Sequence, residues 1–480
     1  MSRSKICVPV CEHELDALRK TCERAVEWAD LIELRLDCLE STLENLTEVL
    51  QNISVPVILT FRPSEQGGHR QLSREERLKF WNNVAPRGEQ IWWDVEVDLT
   101  DDLSPDWSRV IVSHHDFSGV PDNLNDIYNR LAATPAKVIK IAVQAHDVVD
   151  CIPVFQLLDL DDKEAIPIAM GNSGIATRVL GPSRGAFLTY GSLDDENATA
   201  PGQLTARNLR SFYHIDKIDH ETIVCGLIGL PVMHSVSPQI HNGWFAQEQL
   251  NGVYLPFEVN DLDSFMRRMV HPRTRELSWN LQGLSVTAPH KQTVMKYLDW
   301  LNPAAQEIGA VNTIAIKRDR LLGFNTDATG FIDPLLRKFS KWNSRRAAII
   351  GAGGAARAAV WALQKLNVVT TVFARDLNKA QPLAETFGVN CEPLASASFA
   401  NYDLVINTTP LGSGAYIDQS PVTAEQLNGV CCAYDLIYNP ADTRFLQEAR
   451  KAGCDTIGGL DMLVAQAKIQ FELWTGRRPG

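Results

Sequence analysis

Eight short runs of apolar and β-branched residues punctuate the first 190 positions of this chain, at residues 6–10, 31–36, 55–61, 91–97, 109–113, 137–143, 165–170 and 185–190. Each reads as a strand, and the stretches between them often read as amphipathic helices. In residues 14–28, Leu15, Leu18, Cys22, Ala25 and Val26 recur at three- and four-residue steps, which gathers them on one helical face. Strands separated by helices pair in parallel, and eight such repeats in about 210 residues suit a compact (β/α)8 barrel. An open doubly wound sheet is the alternative this pattern leaves.

In a barrel the chemistry gathers at the C-terminal ends of the strands. The polar residues there are Glu33, Arg35, Asp37, Arg62, Glu96, His114, His115, Asp116 and Lys140. Lys140 lies between Ile139 and Ile141, so it either faces outward between helices or points into the barrel mouth. Neighbours on a strand face opposite ways, so only one of His114 and His115 can enter that mouth. His115 is the assigned residue, and His114 is read as structural.

Residues 211–222 are polar with little hydrophobic period, and a strand-like run restarts at Ile223. The expected domains are a barrel over 1–218, an α/β substrate domain over 222–331 completed by a C-terminal helix in 460–480, and a nucleotide domain over 332–459. The fold class expected is α/β throughout, a TIM barrel followed by a two-lobed region with a Rossmann domain.

The nucleotide domain rests on a strand over residues 345–350, then Gly351, Ala352, Gly353, Gly354, Ala355 and Ala356, then a helix. That context makes the G-x-G-x-x-A run a dinucleotide fingerprint. Its glycines admit a pyrophosphate, and the helix N-terminus meets the charge with free amides. The next strand ends at Arg375 and Asp376, with Lys379 a turn later. An acid there grips a ribose 2′-hydroxyl and an arginine pairs with a 2′-phosphate, so Arg375 and Lys379 favour NADP(H) over NAD while Asp376 argues the other way.

A net charge of −12 leaves no broad basic surface for a phosphate backbone, so nucleic acid is not an expected partner. No apolar run is long enough to span a membrane, and no signal peptide is visible. The ten cysteines contain no C-x-x-C pair and are read as reduced thiols; no ligand cluster suggests a metal. The expected location is the cytoplasm, or a plastid had a transit peptide been removed.

Joined in order, these segments resemble two enzyme families. Glu33-Leu34-Arg35-Leu36-Asp37, Thr60-Phe61-Arg62, His115-Asp116-Phe117, Lys140-Ile141-Ala142-Val143, Ala169-Met170-Gly171 and Ala200-Pro201-Gly202-Gln203 look like type I 3-dehydroquinate dehydratase. The resemblance implies that Lys140, an amine partly withdrawn from water, forms a Schiff base with 3-dehydroquinate and that His115 moves the proton, giving 3-dehydroshikimate. It implies that Arg178 holds the substrate carboxylate, that Glu33, Arg35 and Arg62 surround the ring hydroxyls, and that Gln203 and the loop at Thr199 close over the site. This chain departs from the pattern at Glu65-Gln66-Gly67-Gly68, where glutamine takes the usual acidic position and Glu65 is a candidate substitute.

From Ser235-Val236-Ser237-Pro238 onward the chain resembles shikimate dehydrogenase, through Val286-Thr287-Ala288-Pro289-His290-Lys291, Gly309-Ala310-Val311-Asn312-Thr313, Asn325-Thr326-Asp327, Asn407-Thr408-Thr409-Pro410 and Asp435-Leu436-Ile437-Tyr438. Ser235 and Ser237 are thereby expected at the shikimate carboxylate. Asn312, Asp327, Lys291 and Gln466 are expected at the ring hydroxyls, with Thr287 and Tyr438 as further contacts. Lys291 and Asp327 would serve the carbon that exchanges hydride. Thr408, Gly459 and Met462 fall at the cofactor, Met462 against the nicotinamide. Ala288 and His290 stand where the family often has Val and Phe. A quinate dehydrogenase is a rival that the intact Ser-x-Ser disfavours, and a catalytically dead sensor is one that the presence of Lys140, His115, Lys291 and Asp327 disfavours.

Overall fold

The computed structural model describes residues 4–40, 46–160, 163–194, 202–339 and 345–480. The first eight strands are β1 (Ile6–Val10), β2 (Leu31–Arg35), β3 (Val57–Thr60), β4 (Ile91–Glu96), β5 (Val110–Asp116), β6 (Val138–Gln144), β7 (Glu164–Met170) and β8 (Thr189–Tyr190). They form one sheet, every pair parallel, in the order β7-β6-β5-β4-β3-β2-β1-β8. Phe187 N donates to Ala165 O at 2.9 Å, which ties the last strand's approach to β7 and rounds the sheet into a barrel. The open-sheet alternative is therefore set aside.

The eighth strand is shorter than predicted. Residues 182–184 form a turn capped by Gly185 at φ +99°, and pairing with β1 starts only at Thr189. Cys7, Leu31, Ile58, Trp92, Ile111, Val138, Ala142, Ile168 and Tyr190 make one buried cluster. Side chains drawn from all eight strands can meet only inside the barrel. The helix Leu15–Ala25 buries Leu18, Cys22 and Ala25, as its spacing predicts.

The next six strands are β9 (Ile223–Gly229), β10 (Gly252–Glu258), β11 (Leu281–Val286), β12 (Trp300–Leu301), β13 (Thr313–Lys317) and β14 (Arg320–Phe324), in the order β10-β9-β11-β13-β14-β12. This sheet is mixed, with β13 antiparallel to both β11 and β14.

The third sheet is β15 (Arg346–Ile350), β16 (Val369–Ala374), β17 (Asn390–Pro393), β18 (Leu404–Asn407), β19 (Cys432–Asp435) and β20 (Asp455–Ile457). All its pairs are parallel, and the order β17-β16-β15-β18-β19-β20 reverses direction at β15. In such a sheet the crevice outside that switch point is where ligands bind. The helix Asp327–Lys338 runs through residue 331, and Ala328, Phe331 and Leu335 join Ala347, Ile349 and Ile406 in one core. The chain divides into two compact units, residues 1–226 with 230–281, and 227–229 with 282–480.

Candidate active sites

Two-residue alternation along the strands builds the barrel site. Lys140 shares a face of β6 with Val138 and Ala142, both in the inner cluster. The same step places Glu33 and Arg35 beyond Leu31, Asp94 beyond Trp92, Ser113 and His115 beyond Ile111, and Tyr190 beyond Leu188. His114 falls on the opposite face of β5.

Lys140 Nζ donates to Asp94 Oδ2 at 3.1 Å and to the Tyr190 hydroxyl at 3.0 Å, with Glu33 Oε1 at 3.7 Å. Arg62 donates through Nη2 to the same Asp94 oxygen at 2.7 Å and through Nη1 to His115 Nε2 at 2.9 Å. Since a guanidinium cannot accept, His115 Nε2 is the accepting nitrogen. Burial pushes the Asp94 carboxyl up, but the charges of Arg62 and Lys140 outweigh it and hold the group down at about 2. Burial, with the charges of Arg62, Lys140 and Arg35, pushes the His115 imidazole well below its ordinary value. A neutral imidazole beside a buried amine is an acid–base pair ready for use. Burial also lifts Glu96 to about 7, against the opposing pull of Arg62, and holds the Tyr190 phenol far above its ordinary range.

Arg178, on the helix Ile175–Leu180, is 2% exposed, and burial alone lowers its guanidinium to about 10. No carboxylate pairs with it among the described residues, and a buried cation without a counter-ion is built to receive an anion. Arg35 donates two hydrogen bonds to Asp37, one to each carboxylate oxygen, and a third to Gly67 O at 2.9 Å. Gln66 Oε1 accepts from the His115 backbone N–H at 2.9 Å, whereas Glu65 is exposed. Glutamine therefore supports the histidine strand directly. Gln203 is half-buried; Thr199 lies outside the described residues.

Sequence reasoning missed Asp94 and Tyr190, the two direct partners of Lys140. The one sequence signal for Asp94 is its step of two from Trp92, which matches the step from Leu31 to Glu33 on β2 but says nothing of its partner. Tyr190 carried none beyond its parity.

In the second unit, Lys291 Nζ donates to Asp327 Oδ2 at 2.6 Å. Asn312 Nδ2 lies 2.7 Å from Asp327 Oδ1, 2.9 Å from Thr326 Oγ1 and 3.2 Å from Gln466 Oε1. Four predicted residues thus share one polar cluster. The helix Gly459–Thr475 supplies Gln466 and, one turn on, Gln470, which donates to Thr313 Oγ1 and accepts from Ser285 Oγ. Trp474 Nε1 donates to Ile314 O, so the C-terminal helix does fold back onto β13. Gln470 went unpredicted although it lies on the same helical face as Gln466. Thr287, whose backbone N–H donates to Ile228 O, and Tyr438 are each half-buried.

In the first unit, Ser235 Oγ lies 3.1 Å from Ser237 Oγ and accepts from the Ser237 backbone N–H at 3.2 Å. The pair opens the helix Ser237–Gln247.

The glycine loop lies at the switch point. Gly351 has φ +117°, and a Cβ there would come 2.5 Å from Thr408 Oγ1. That hydroxyl is itself bonded to Ile350 O. A Cβ on Gly353 would meet nothing within 4 Å, which leaves room for a phosphate before the helix Gly354–Lys365. Ala352 and Ala355 flank this opening. Gly459 is held against Leu436 O, which a Cβ would approach to 2.5 Å, and Met462 is buried a turn later. Asp376 caps the helix Leu377–Phe387 by accepting from Asn378 N at 3.1 Å. The carboxylate that argued for NAD thus has a local role and also lies 4.0 Å from Lys379 Nζ, while Arg375 and Lys379 are both exposed.

The reading of ten reduced thiols is corrected. Cys11 and Cys38 form a disulfide with Cα atoms 5.5 Å apart, because they follow adjacent parallel strands β1 and β2 at the same end. The expectation of no ligand cluster is corrected too, since donor atoms of Cys11, Cys38 and His69 lie within 4.8 Å of one another.

Fold and sites together define a two-part enzyme of small-molecule metabolism, a barrel lyase joined to a nucleotide-dependent dehydrogenase. Residues 6–220 match the type I 3-dehydroquinase family, 227–314 the shikimate dehydrogenase substrate binding domain, 335–425 the shikimate / quinate 5-dehydrogenase family and 459–480 the shikimate 5′-dehydrogenase C-terminal domain. The chloroplastic bifunctional 3-dehydroquinate dehydratase/shikimate dehydrogenase of Arabidopsis thaliana is 32% identical, over 98% of this chain and 82% of the plant protein. The shikimate biosynthesis protein AroDE of Chlamydia pneumoniae is 28% identical over 98% of this chain and 95% of its own length. A crystal structure of shikimate dehydrogenase in complex with NADP+ superposes with a TM-score of 0.51 at 39% identity, covering 55% of this chain and 93% of that one. The chain belongs to the bifunctional 3-dehydroquinate dehydratase/shikimate dehydrogenase family.

Proposed function

We infer that this enzyme dehydrates 3-dehydroquinate to 3-dehydroshikimate and reduces the product to shikimate with NADPH. The observation that carries the reading is Lys140, buried among Asp94, Tyr190 and Glu33, in the same chain as the Lys291–Asp327 pair.

In the barrel, Lys140 Nζ attacks the substrate ketone and water leaves, giving an iminium. His115 takes a proton from the neighbouring carbon, and the iminium accepts the electron pair. The hydroxyl then departs as water with the proton His115 holds, and hydrolysis frees dehydroshikimate and the lysine. Because Arg62 occupies His115 Nε2, its guanidinium moves onto the substrate hydroxyls as the imidazole takes up its task. Arg178 binds the carboxylate, Glu33 and Arg35 hold hydroxyls, and Gln203 covers the ring.

For the second step, Gly351, Ala352, Gly353, Gly354, Ala355, Thr408, Arg375 and Lys379 hold NADP(H), with Gly459 and Met462 beside the nicotinamide. The bound cofactor supplies the hydride. Lys291 and Asp327 hand the proton to the carbonyl oxygen as it becomes a hydroxyl. Asn312, Gln466, Thr287 and Tyr438 fix the ring, and the Ser235–Ser237 pair is assigned to the carboxylate. The working domains are 1–218, 222–331 with 460–480, and 332–459. No metal enters either step.

The test is one cuvette of purified chain with 3-dehydroquinate, followed by ultraviolet enone absorbance, then by NADPH consumption after the cofactor is added. Enone growth followed by cofactor loss is expected. A flat trace in both phases, with dehydroquinate binding confirmed, overturns the reading in favour of a sensor.

A further inference from the structure

Three donors converge at the C-terminal ends of three consecutive barrel strands, apart from the catalytic network. Cys11 directly follows β1, Cys38 lies three residues beyond β2, and His69 sits on the loop that leaves β3. Cys11 Sγ is 3.6 Å from His69 Nε2, and the three donor atoms fit within 4.8 Å. Around a tetrahedral zinc ion, with Zn–S about 2.3 Å and Zn–N about 2.0 Å, ligand atoms stand roughly 3.3 to 3.8 Å apart, so parting the two sulfurs brings the set to that spacing. Cys38 is buried, Cys11 half-buried and His69 exposed, which anchors the site on one side and leaves a fourth position open to water.

The backbone around these donors is already braced. His69 N donates to Asp37 Oδ2, Arg70 donates to the carbonyls of Leu36 and Asp37, and Arg35 clamps Asp37. Opening the disulfide therefore frees two sulfurs without freeing the loops that carry them.

We propose that Cys11, Cys38 and His69 form a redox-gated site for one soft divalent cation of the zinc type. It is closed while the two cysteines are bonded to each other and open when they are reduced. Two electrons from a small thiol reductant, itself oxidised to its disulfide, convert the S–S bond to two thiols. The cation then displaces both thiol protons and binds two thiolates and the imidazole. His69 shares its loop with Gln66, which accepts from the His115 backbone N–H, and with Gly67, whose carbonyl accepts from Arg35.

The experiment takes the full chain, oxidised in one sample and thiol-reduced then desalted under nitrogen in another, with zinc binding measured by equilibrium dialysis and elemental analysis. Cobalt(II) provides a spectral readout through its thiolate charge-transfer band. One zinc per reduced chain and none per oxidised chain is expected. Cys38→Ser and His69→Ala should each weaken binding at least tenfold while the far-ultraviolet circular dichroism of each reduced variant matches that of the reduced wild-type chain, which certifies folding. Equal zinc in both redox states, undiminished binding in either variant, or a thiol titre that stays at eight after reduction instead of rising to ten overturns the proposal.

Discussion

The barrel site and the dehydrogenase site each centre on a lysine beside an aspartate, yet they are built differently. Lys140 and Asp94 have side chains 5% and 0% exposed and belong to a chain of buried charges running through Arg62 to Glu96 and Arg77. Lys291 and Asp327 are 19% and 8% exposed and make one ion pair braced by neutral amides and hydroxyls. The difference follows the chemistry proposed for each site. In the barrel the protein's own amine must become a covalent partner and the charge that develops must be matched by fixed groups out of water. In the dehydrogenase the cofactor carries the electrons, so the side chains need only place a hydroxyl and move one proton.

Removing each lysine should break the comparison cleanly. Lys140→Ala is expected to lose dehydration on the order of 10⁴-fold or more while shikimate oxidation persists, and Lys291→Ala should do the reverse on the order of 10² to 10⁴-fold. Steady-state assays of both reactions on both variants check this. Loss of both activities in either variant would mean that the two sites are not independent.

Asp94→Asn should sharpen it. Removing the carboxylate takes away the nearest counter-charge of both Lys140 and Arg62 and leaves only Glu33 at 3.7 Å and Glu96 at 3.5 Å, so the barrel should lose about 3 kcal/mol of stability and dehydration should fall about 100-fold. Denaturant unfolding and kcat measure the two effects. Asp327→Asn, in the wetter site, should cost far less stability.

Arg375→Ala is expected to raise KM for NADPH about tenfold with little change for NADH, the worth of one charge-assisted contact. Equal effects on the two cofactors would sink the 2′-phosphate assignment.

The smallest effect concerns pH. His115 is held neutral by burial and by the cations around it, so it stays competent as a base when pH falls below the ordinary imidazole value of 6.5, and the acid limb of dehydration lies below that value. Arg62→Leu removes one cation, and the limb of the residual activity should move up toward 6.5. The pH profile of kcat/KM checks both.

Much of this was legible in the sequence because charges interrupting apolar strands are conspicuous. Lys140, His115 and Glu33 stand out in that way, and two-residue alternation alone separates His115 from His114. The glycine loop was legible because its context of strand, turn and helix is local. What stayed hidden depends on pairing across distance. Asp94 gained meaning only once β4 was set beside β3 and β5, and the Cys11–Cys38 bond joins residues 27 positions apart through a strand neighbourhood that spacing does not state. Asp376 stood in the sequence as the charge that argued against NADP(H), and only its bond to Asn378 N shows it to be a helix cap.

The most direct test of the contrast is covalent. The chain is incubated with 3-dehydroquinate, reduced with borohydride, and examined by intact mass and peptide mapping. A single ligand-derived adduct on Lys140, absent from Lys140→Ala and unaffected by Lys291→Ala, is the predicted result. No adduct under turnover conditions, or an adduct on another lysine, would contradict the account of the barrel as the site where the protein itself becomes the reactant.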